Sequence, residues 1–122
     1  MSRPNHLVIK LACGVDEAER VAQAFSVATT AQAAGVEVSF WLAGEAAWLA
    51  LPGRAEEFRL VHSAPLHELL ASLIEGSLVT LCTQCAVRRN INDGDQIPGI
   101  RIAGSVTFVE EIMRESTQAL VY

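Results

Sequence analysis

The sequence predicts an α/β fold, a three-layer α/β/α sandwich around a mainly parallel, five-stranded sheet. Short apolar segments rich in strand formers alternate along the chain with segments whose apolar residues recur at helical spacing. Glycine or proline marks most of the junctions between them. Because parallel neighbouring strands need a crossover connection, this alternation favours a sheet with helices on its faces. We expect residues 1–122 to form a single domain.

The first strand and helix come from the N-terminal third of the chain. Residues 6–13, HLVIKLAC, are apolar and β-branched and are ended by a glycine, which predicts a buried strand. Asp16 and Glu19 then have the spacing of a helix cap. Apolar residues at helical spacing follow as far as Gly35, a suitable residue after a helix C-terminus.

The middle of the chain contains the second strand and the clearest helix. Residues 36–43, VEVSFWLA, predict a strand, and residues 46–51 predict a short helix that Pro-Gly stops. Residues 54–63 fit either a loop or a strand fragment. Residues 65–76 begin with proline and carry leucines and an isoleucine on one helical face, which predicts an amphipathic helix.

The last three strands lie in the C-terminal third. Residues 78–81 form a short apolar strand, and residues 86–89 predict the first turns of a helix. Residues 100–103 predict a fourth strand. Ser105 then caps a helix, and residues 118–122 close the sheet.

Composition narrows the classes of function. Half of the residues (51%) are hydrophobic, but no apolar run reaches the roughly 18 residues of a membrane helix, so we expect no membrane association. A net charge of −5 and the absence of a basic stripe argue against direct nucleic-acid binding. Three cysteines and no export-signal pattern predict a cytoplasmic chain with reduced thiols. The high apolar fraction predicts a homo-oligomer.

Two cysteines lie where the third strand leads into a helix. The N-terminus of a helix carries partial positive charge and unpaired N–H groups, which favour a thiolate at Cys82 or Cys85. Arg88 and Arg89 follow within a helical turn and add permanent positive charge, which could tune the thiolate or bind an anion. The pattern predicts a reactive sulfur at Cys82. The alternative for each cysteine is a packing residue that acts as a small hydrophobe.

Two further residues follow strands and could line the same site. In parallel α/β sheets the chemistry lies beyond the carboxyl ends of the strands, where Cys13 and Glu45 are expected. Packing also explains Cys13, and an exposed carboxylate at a helix start also explains Glu45.

The sequence does not predict a cofactor or a metal. Three thiolates without an obvious fourth ligand do not suit structural zinc, and no glycine-rich nucleotide loop is present. The adjacent carboxylates Glu110 and Glu111 are predicted to be solvated surface.

Several segments together resemble a known family over nearly the whole chain. They are VIKLACG, FWLAGEAAWL, LHELLASLIEG running into LVTLCTQCAVRRNI, and VEEIMRESTQALVY. On these residues the chain is similar to the DsrE/DsrF-like (YchN-like) sulfurtransferase family. The most specific match is Cys82 followed by Arg88 and Arg89. Where the family often has glycine after the arginine this chain has Asn90, which tolerates left-handed backbone, so we expect the turn to be kept.

The resemblance implies a small α/β subunit that assembles into homotrimers or hexamers. It implies that Cys82 carries a persulfide and passes sulfur from a donor protein to an acceptor protein, in tRNA thiolation or dissimilatory sulfur metabolism. Some members have a second cysteine at the position of Cys85. Two alternatives stay open: a thiol–disulfide redox protein that uses Cys82 and Cys85, and a non-catalytic oligomeric binding module of the same fold.

Overall fold

The computed structural model describes residues 3–122 and contains a five-stranded parallel sheet. The strands are β1 (His6–Leu11), β2 (Glu37–Leu42), β3 (Leu78–Cys82), β4 (Arg101–Ala103) and β5 (Thr117–Val121). Their order across the sheet is β4-β3-β2-β1-β5, and every neighbouring pair is parallel. The carboxyl ends of all the strands therefore lie at one edge of the sheet.

Helices cover both faces of this sheet. They are α1 (Ala18–Ala33), α2 (Arg54–Glu57), α3 (Leu66–Gly76), α4 (Thr83–Arg88) and α5 (Ser105–Ile112), with 3₁₀ segments at Val15–Glu17 and Gly44–Ala50. The predicted α/β class with a parallel five-stranded sheet is confirmed. No helix in the described part of the chain is both long and apolar enough to cross a membrane.

One face of the sheet is apolar and packs against α1 and α3. The strand residues that face these helices alternate along each strand, and Ile9, Phe40 and Leu81 among them are fully buried. Phe25 of α1 contacts Phe40 with ring centroids 4.7 Å apart. The buried residues of α3 are Leu66, Leu70 and Leu73, as its predicted apolar stripe requires. This face supplies most of the hydrophobic stabilisation, since each buried large side chain contributes about 1.5–3 kcal/mol.

The opposite face of the sheet is polar and packs against α5. Glu111 Oε1 accepts hydrogen bonds from Ser39 Oγ at 2.5 Å and from Trp41 Nε1 at 2.9 Å. Arg101 forms an ion pair with the other carboxylate oxygen of Glu111, and its Nε donates to Thr80 Oγ1 at 2.6 Å. The prediction of solvated surface is therefore wrong for Glu111, because its carboxylate is hydrogen-bonded to β2 and paired with Arg101 of β4.

The C-terminal part of the chain has no fully buried residue. Residues 101–122 are all described and include no buried residue, although they form β4, α5 and β5. Val106 and Met113 of this segment are 76% and 75% exposed. With Val109 they are spaced by three and four residues, so they share one side of α5 and continue it past the helix end. An apolar stripe is thus left without a partner within the described chain.

Local structure departs from the prediction in residues 54–63 and at the starts of α1 and α5. Residues 54–63 are neither a loop throughout nor a strand, because Arg54–Glu57 form a single helical turn. Gly53, with φ of 86°, supplies the left-handed backbone from which this turn starts. Among the described residues, neither Asp16 nor Ser105 makes a side-chain cap: Asp16 lies inside a 3₁₀ segment, and Gly104 precedes α5.

Candidate functional site

The loops after β1 and β2 are in close contact at the carboxyl edge of the sheet. Gly44 opens the second loop with φ of 50°, and a Cβ atom there would lie 2.4 Å from the carbonyl oxygen of Ala12. A Cβ atom on Gly14 would lie 2.8 Å from the Cβ atom of Glu45. Because a backbone atom blocks position 44, only glycine fits there without displacing a strand end.

Cys82 is the last residue of β3 and the N-cap of α4. The helix begins at Thr83, three residues before the predicted start, so Cys82 stands at the junction of strand and helix. Its backbone is extended, with φ of −63° and ψ of 126°. The residue is half-buried and packs against the hydrophobic core.

Cys85 lies one turn further on and is almost fully buried, with 8% exposure. The backbone N–H of Gly44 donates to Cys85 Sγ at 3.1 Å, which ties the loop after β2 to α4. The Cys85 side chain is also close enough to Cys82 to stabilise its thiolate by hydrogen bonding. The structure thus brings the two cysteines together, one half-exposed and the other held in the packing.

The pKa of the Cys82 thiol is lowered from its usual value of 9.0. Partial burial is the largest single influence and opposes ionisation. It is outweighed by the backbone N–H and side chain of Cys85, the backbone N–H of Gln84 and the positive charge of Lys10. These groups stabilise the charged form of the sulfur by hydrogen bonding and, for Lys10, by charge attraction.

Replacing Cys85 with alanine is expected to raise the pKa of Cys82 by about one pH unit. The substitution removes a hydrogen bond to a charged group, which contributes about 1.5 kcal/mol, and one pH unit corresponds to about 1.4 kcal/mol. The measurement is the alkylation rate of the Cys82 peptide by iodoacetamide as a function of pH, read by mass spectrometry. Cys85→Ser, which keeps a donor, should shift the midpoint less, and Cys13→Ala should leave it in place. An unchanged midpoint in Cys85→Ala would show that Cys85 does not stabilise the thiolate.

The two arginines at the end of α4 have different surroundings. Arg89 donates to Glu45 Oε2 from Nη2 at 2.7 Å and from Nε at 3.1 Å, and Nη1 donates to the Cys85 carbonyl at 3.1 Å. Its hydrogen bonds lower the pKa of the Glu45 carboxyl. Arg88 is exposed at the last position of α4, and neither arginine is among the groups that lower the pKa of Cys82. Arg89 therefore clamps the loop after β2 to α4, and its tuning of the thiolate stays a prediction.

Cys13 lies after β1 in a different environment. It is half-buried and packs against the core. Burial raises the pKa of its thiol, Arg20 opposes this, and Glu17 and Asp16 raise it further. A thiol with a raised pKa is a weak nucleophile at neutral pH. Within residues 3–122, no group of three or more His, Cys, Asp or Glu side chains is placed to hold a metal ion.

Lys10 is the residue near the site that sequence reasoning missed. It is the only lysine in the chain, and it interrupts an apolar strand, which was the available signal. The sheet register aligns Lys10 with Trp41 and Trp41 with Thr80, two residues before Cys82. The order of the strands places Lys10 on the face of the sheet that carries Cys82. The pattern of residues along a single strand does not specify this order.

A cavity of about 460 Å³ lies beside the Glu45 loop but is not lined by Cys82 or Cys85. Its walls include Trp48 and Arg54, whose guanidinium carbon lies 4.8 Å from the indole centroid. Since neither sulfur reaches this cavity, we do not place the thiol chemistry in it.

The sequence profile of the DsrE/DsrF-like family matches residues 8–120. The chain belongs to the DsrE/DsrF-like family. The resemblance seen in the cysteine motif and the flanking segments is thereby confirmed. DsrE/DsrF-like proteins form a sulfur-relay family, and membership points to this class of function.

Solved structures share the fold of this DsrE/DsrF-like chain over nearly its full length. The ychN protein from E. coli superimposes with a TM-score of 0.72 at 15% identity, covering 98% of this chain and 99% of that one. MTH1491 from Methanobacterium thermoautotrophicum, a protein of unknown function, gives a TM-score of 0.66 at 14% identity, with 96% and 98% coverage. At these identities the likeness shows the fold alone. No curated protein matches the sequence.

Proposed function

We propose that this chain is a sulfur-carrier subunit in which Cys82 accepts sulfane sulfur as a persulfide and passes it to a partner protein. The observation that carries the proposal is a half-exposed cysteine with a lowered pKa at the strand end of a DsrE/DsrF-like chain. A nucleophile of this kind must be ionised near neutral pH and reachable from solvent. Of the three cysteines Cys82 fits these requirements best, because its pKa is lowered and the residue is half-buried, whereas Cys13 has a raised pKa and Cys85 is buried.

The proposed transfer consists of two thiol exchanges. The Cys82 thiolate attacks the outer sulfur of a donor persulfide, the S–S bond of the donor breaks, and the donor leaves as a thiolate. Cys82 then carries the outer sulfur in a new S–S bond. A thiolate of the acceptor attacks that sulfur and releases Cys82 as a thiolate. The sulfane sulfur changes carrier without net oxidation, so no external oxidant or cofactor is needed.

The apolar stripe on α5 supports a homo-oligomer, with a trimer or hexamer as the proposed state. Val106, Val109 and Met113 are exposed on a helix whose other side carries the Glu111 cluster. Exposed apolar stripes on small domains mark protein interfaces, and a second copy of the chain offers an apolar stripe of the same composition.

We propose the cytoplasm as the location, because three reduced cysteines suit a reducing compartment.

Loading with sulfur tests the proposed function directly. The protein is incubated with glutathione persulfide, and the intact mass of the chain is measured. The wild-type chain should gain one sulfur atom, and Cys82→Ser should gain none, because the nucleophile is lost. Cys13→Ser is the matched control and should gain sulfur like the wild type.

Two results would contradict the sulfur-carrier proposal. One is a Cys82→Ser chain that still gains one sulfur atom. The other is a wild-type chain that loses two hydrogens and gains no sulfur, which indicates a disulfide between Cys82 and Cys85. The second result would favour the thiol–disulfide redox function, for which the proximity of the two side chains is the supporting observation.

A further inference from the structure

Lys10 and Cys82 lie on the same face of the sheet and near the same edge. In the parallel register Lys10 is opposite Trp41, and Trp41 is opposite Thr80. Because side chains two residues apart on a strand share a face, Cys82 lies on the side of Thr80, Trp41 and Lys10. Lys10 is the penultimate residue of β1, and Cys82 is the last residue of β3. The lysine stem is long enough to reach toward the carboxyl edge from this position.

An aromatic ring on α5 holds the lysine ammonium. Lys10 Nζ lies 4.8 Å from the ring centroid of Phe108, a distance at which the face of the ring attracts a cation. Phe108 is itself packed edge-on against Trp41, with centroids 5.2 Å apart. Lys10 is half-buried, and among residues 3–122 no carboxylate forms an ion pair with it.

The other charges around this corner are neutralised or point into solvent. Arg101 and Glu111, from β4 and α5, pair with each other. Arg89 is bound to Glu45, and Arg88 is exposed at the end of α4. The Cys85 thiol is the further titratable group of α4 that faces Cys82. Within residues 3–122, the ammonium of Lys10 is therefore a cation on this face whose charge no carboxylate cancels.

We propose that Lys10 supplies the counter-charge of the anionic sulfur on Cys82, and that Phe108 is the positioning residue that holds Lys10 toward it. This inference rests on the proposed function. It adds Lys10 to the proposed site, a residue outside both the cysteine motif and the arginine pair. Both the thiolate before transfer and the persulfide anion after it are negative. The outer sulfur of a persulfide stands one S–S bond, about 2.0 Å, beyond the Cys82 sulfur. A flexible four-carbon stem lets the ammonium follow the charge over that distance, which a backbone N–H group cannot do.

The test is the pH dependence of Cys82 alkylation in Lys10→Met, measured as for Cys85→Ala. We expect the midpoint to rise by about half a pH unit, a roughly threefold loss of thiolate below the midpoint. Lys10→Arg should restore the wild-type midpoint, and Phe108→Leu should give part of the rise. Raising the salt concentration should raise the wild-type midpoint relative to that of Lys10→Met, because the charge of Lys10 is screened only where it is present. A merely structural role of Lys10 would not produce this difference.

Arg114→Met is the matched control, because it also removes one positive charge. Arg114 pairs with Glu37 at the amino end of β2, away from the cysteine edge. A Lys10→Met midpoint no higher than that of Arg114→Met overturns the inference. If Lys10→Met and the wild type both still gain one sulfur atom from glutathione persulfide, the sulfur-carrier function stands without the lysine. If the midpoint shifts as expected but the wild type gains no sulfur, the counter-charge is real and the sulfur-carrier function fails.

Discussion

Replacing Glu111 with alanine is expected to lower the free energy of unfolding by about 2–4 kcal/mol. The substitution leaves the Arg101 guanidinium without its carboxylate and removes the acceptor from Ser39 and Trp41. The Glu111 side chain is only 15% exposed, so water replaces these partners poorly, whereas that of Arg101 is 33% exposed and regains some hydration. Urea denaturation followed by circular dichroism measures the change.

Glu110→Ala is the control for this experiment. Glu110 is the sequence neighbour of Glu111 but is exposed, so its removal should change the free energy of unfolding by no more than about 0.5 kcal/mol. Equal effects of the two substitutions would contradict the role given to the Glu111 cluster.

The same cluster makes the fold sensitive to acid. Burial raises the pKa of the Glu111 carboxyl, but hydrogen bonds from Ser39, Trp41 and Arg101 outweigh it and hold the pKa below its usual 4.5. A lowered folded-state pKa adds stability that is present above the unfolded value and is lost as the pH falls through the folded value. We therefore expect stability to fall below about pH 4.5, and to fall less steeply in Glu111→Ala.

Replacing Val106 with glutamate is expected to dissociate the proposed oligomer. Val106 is 76% exposed on α5, so the substitution costs a single chain little. In an interface between copies it buries an unpaired carboxylate, which costs on the order of 3 kcal/mol and weakens association about a hundredfold. Analytical ultracentrifugation should show an oligomer for the wild type and a single chain for the variant.

Val61→Glu is the matched control, because Val61 is 81% exposed and lies outside α5, in the segment between α2 and α3. It should keep the wild-type sedimentation. A wild-type protein that sediments as a single chain, or a Val61→Glu variant that dissociates equally, would remove the α5 stripe as the interface.

The candidate site was only partly visible in the sequence. The placement of Cys82 at a strand end followed from the apolar run before it and the helix-forming residues after it. The sequence predicts that positive charge near it comes from Arg88 and Arg89, which are close along the chain. In the structure Arg89 is paired with Glu45, and Lys10, which lies on another strand, is among the groups that lower the pKa of Cys82.

The turn after α4, in contrast, was predictable from the sequence. Asn90 stands where the family often has glycine, and its tolerance of left-handed backbone predicted that the turn would be kept. Its φ of 55° confirms this. The N–H of Ile91 donates to the carbonyl of Ala86 at 2.9 Å across the turn. A local backbone preference was sufficient here because every partner lies within five residues.

The sequence alone determined the alternation of strands and helices, the amphipathic stripe of α3, the cysteine at the strand end and the family. Each of these depends on residues that are close along the chain or on a motif that can be read directly. The tertiary structure decided which side chains lower the pKa of Cys82: Lys10 from β1 and Cys85, itself held by the backbone of Gly44. It also buried Glu111, which the sequence placed in solvent. The reason is that the alternation of side chains along a strand fixes which of its residues share a face. The packing of the whole sheet sets strand order and register, and these decide which residues of different strands become neighbours.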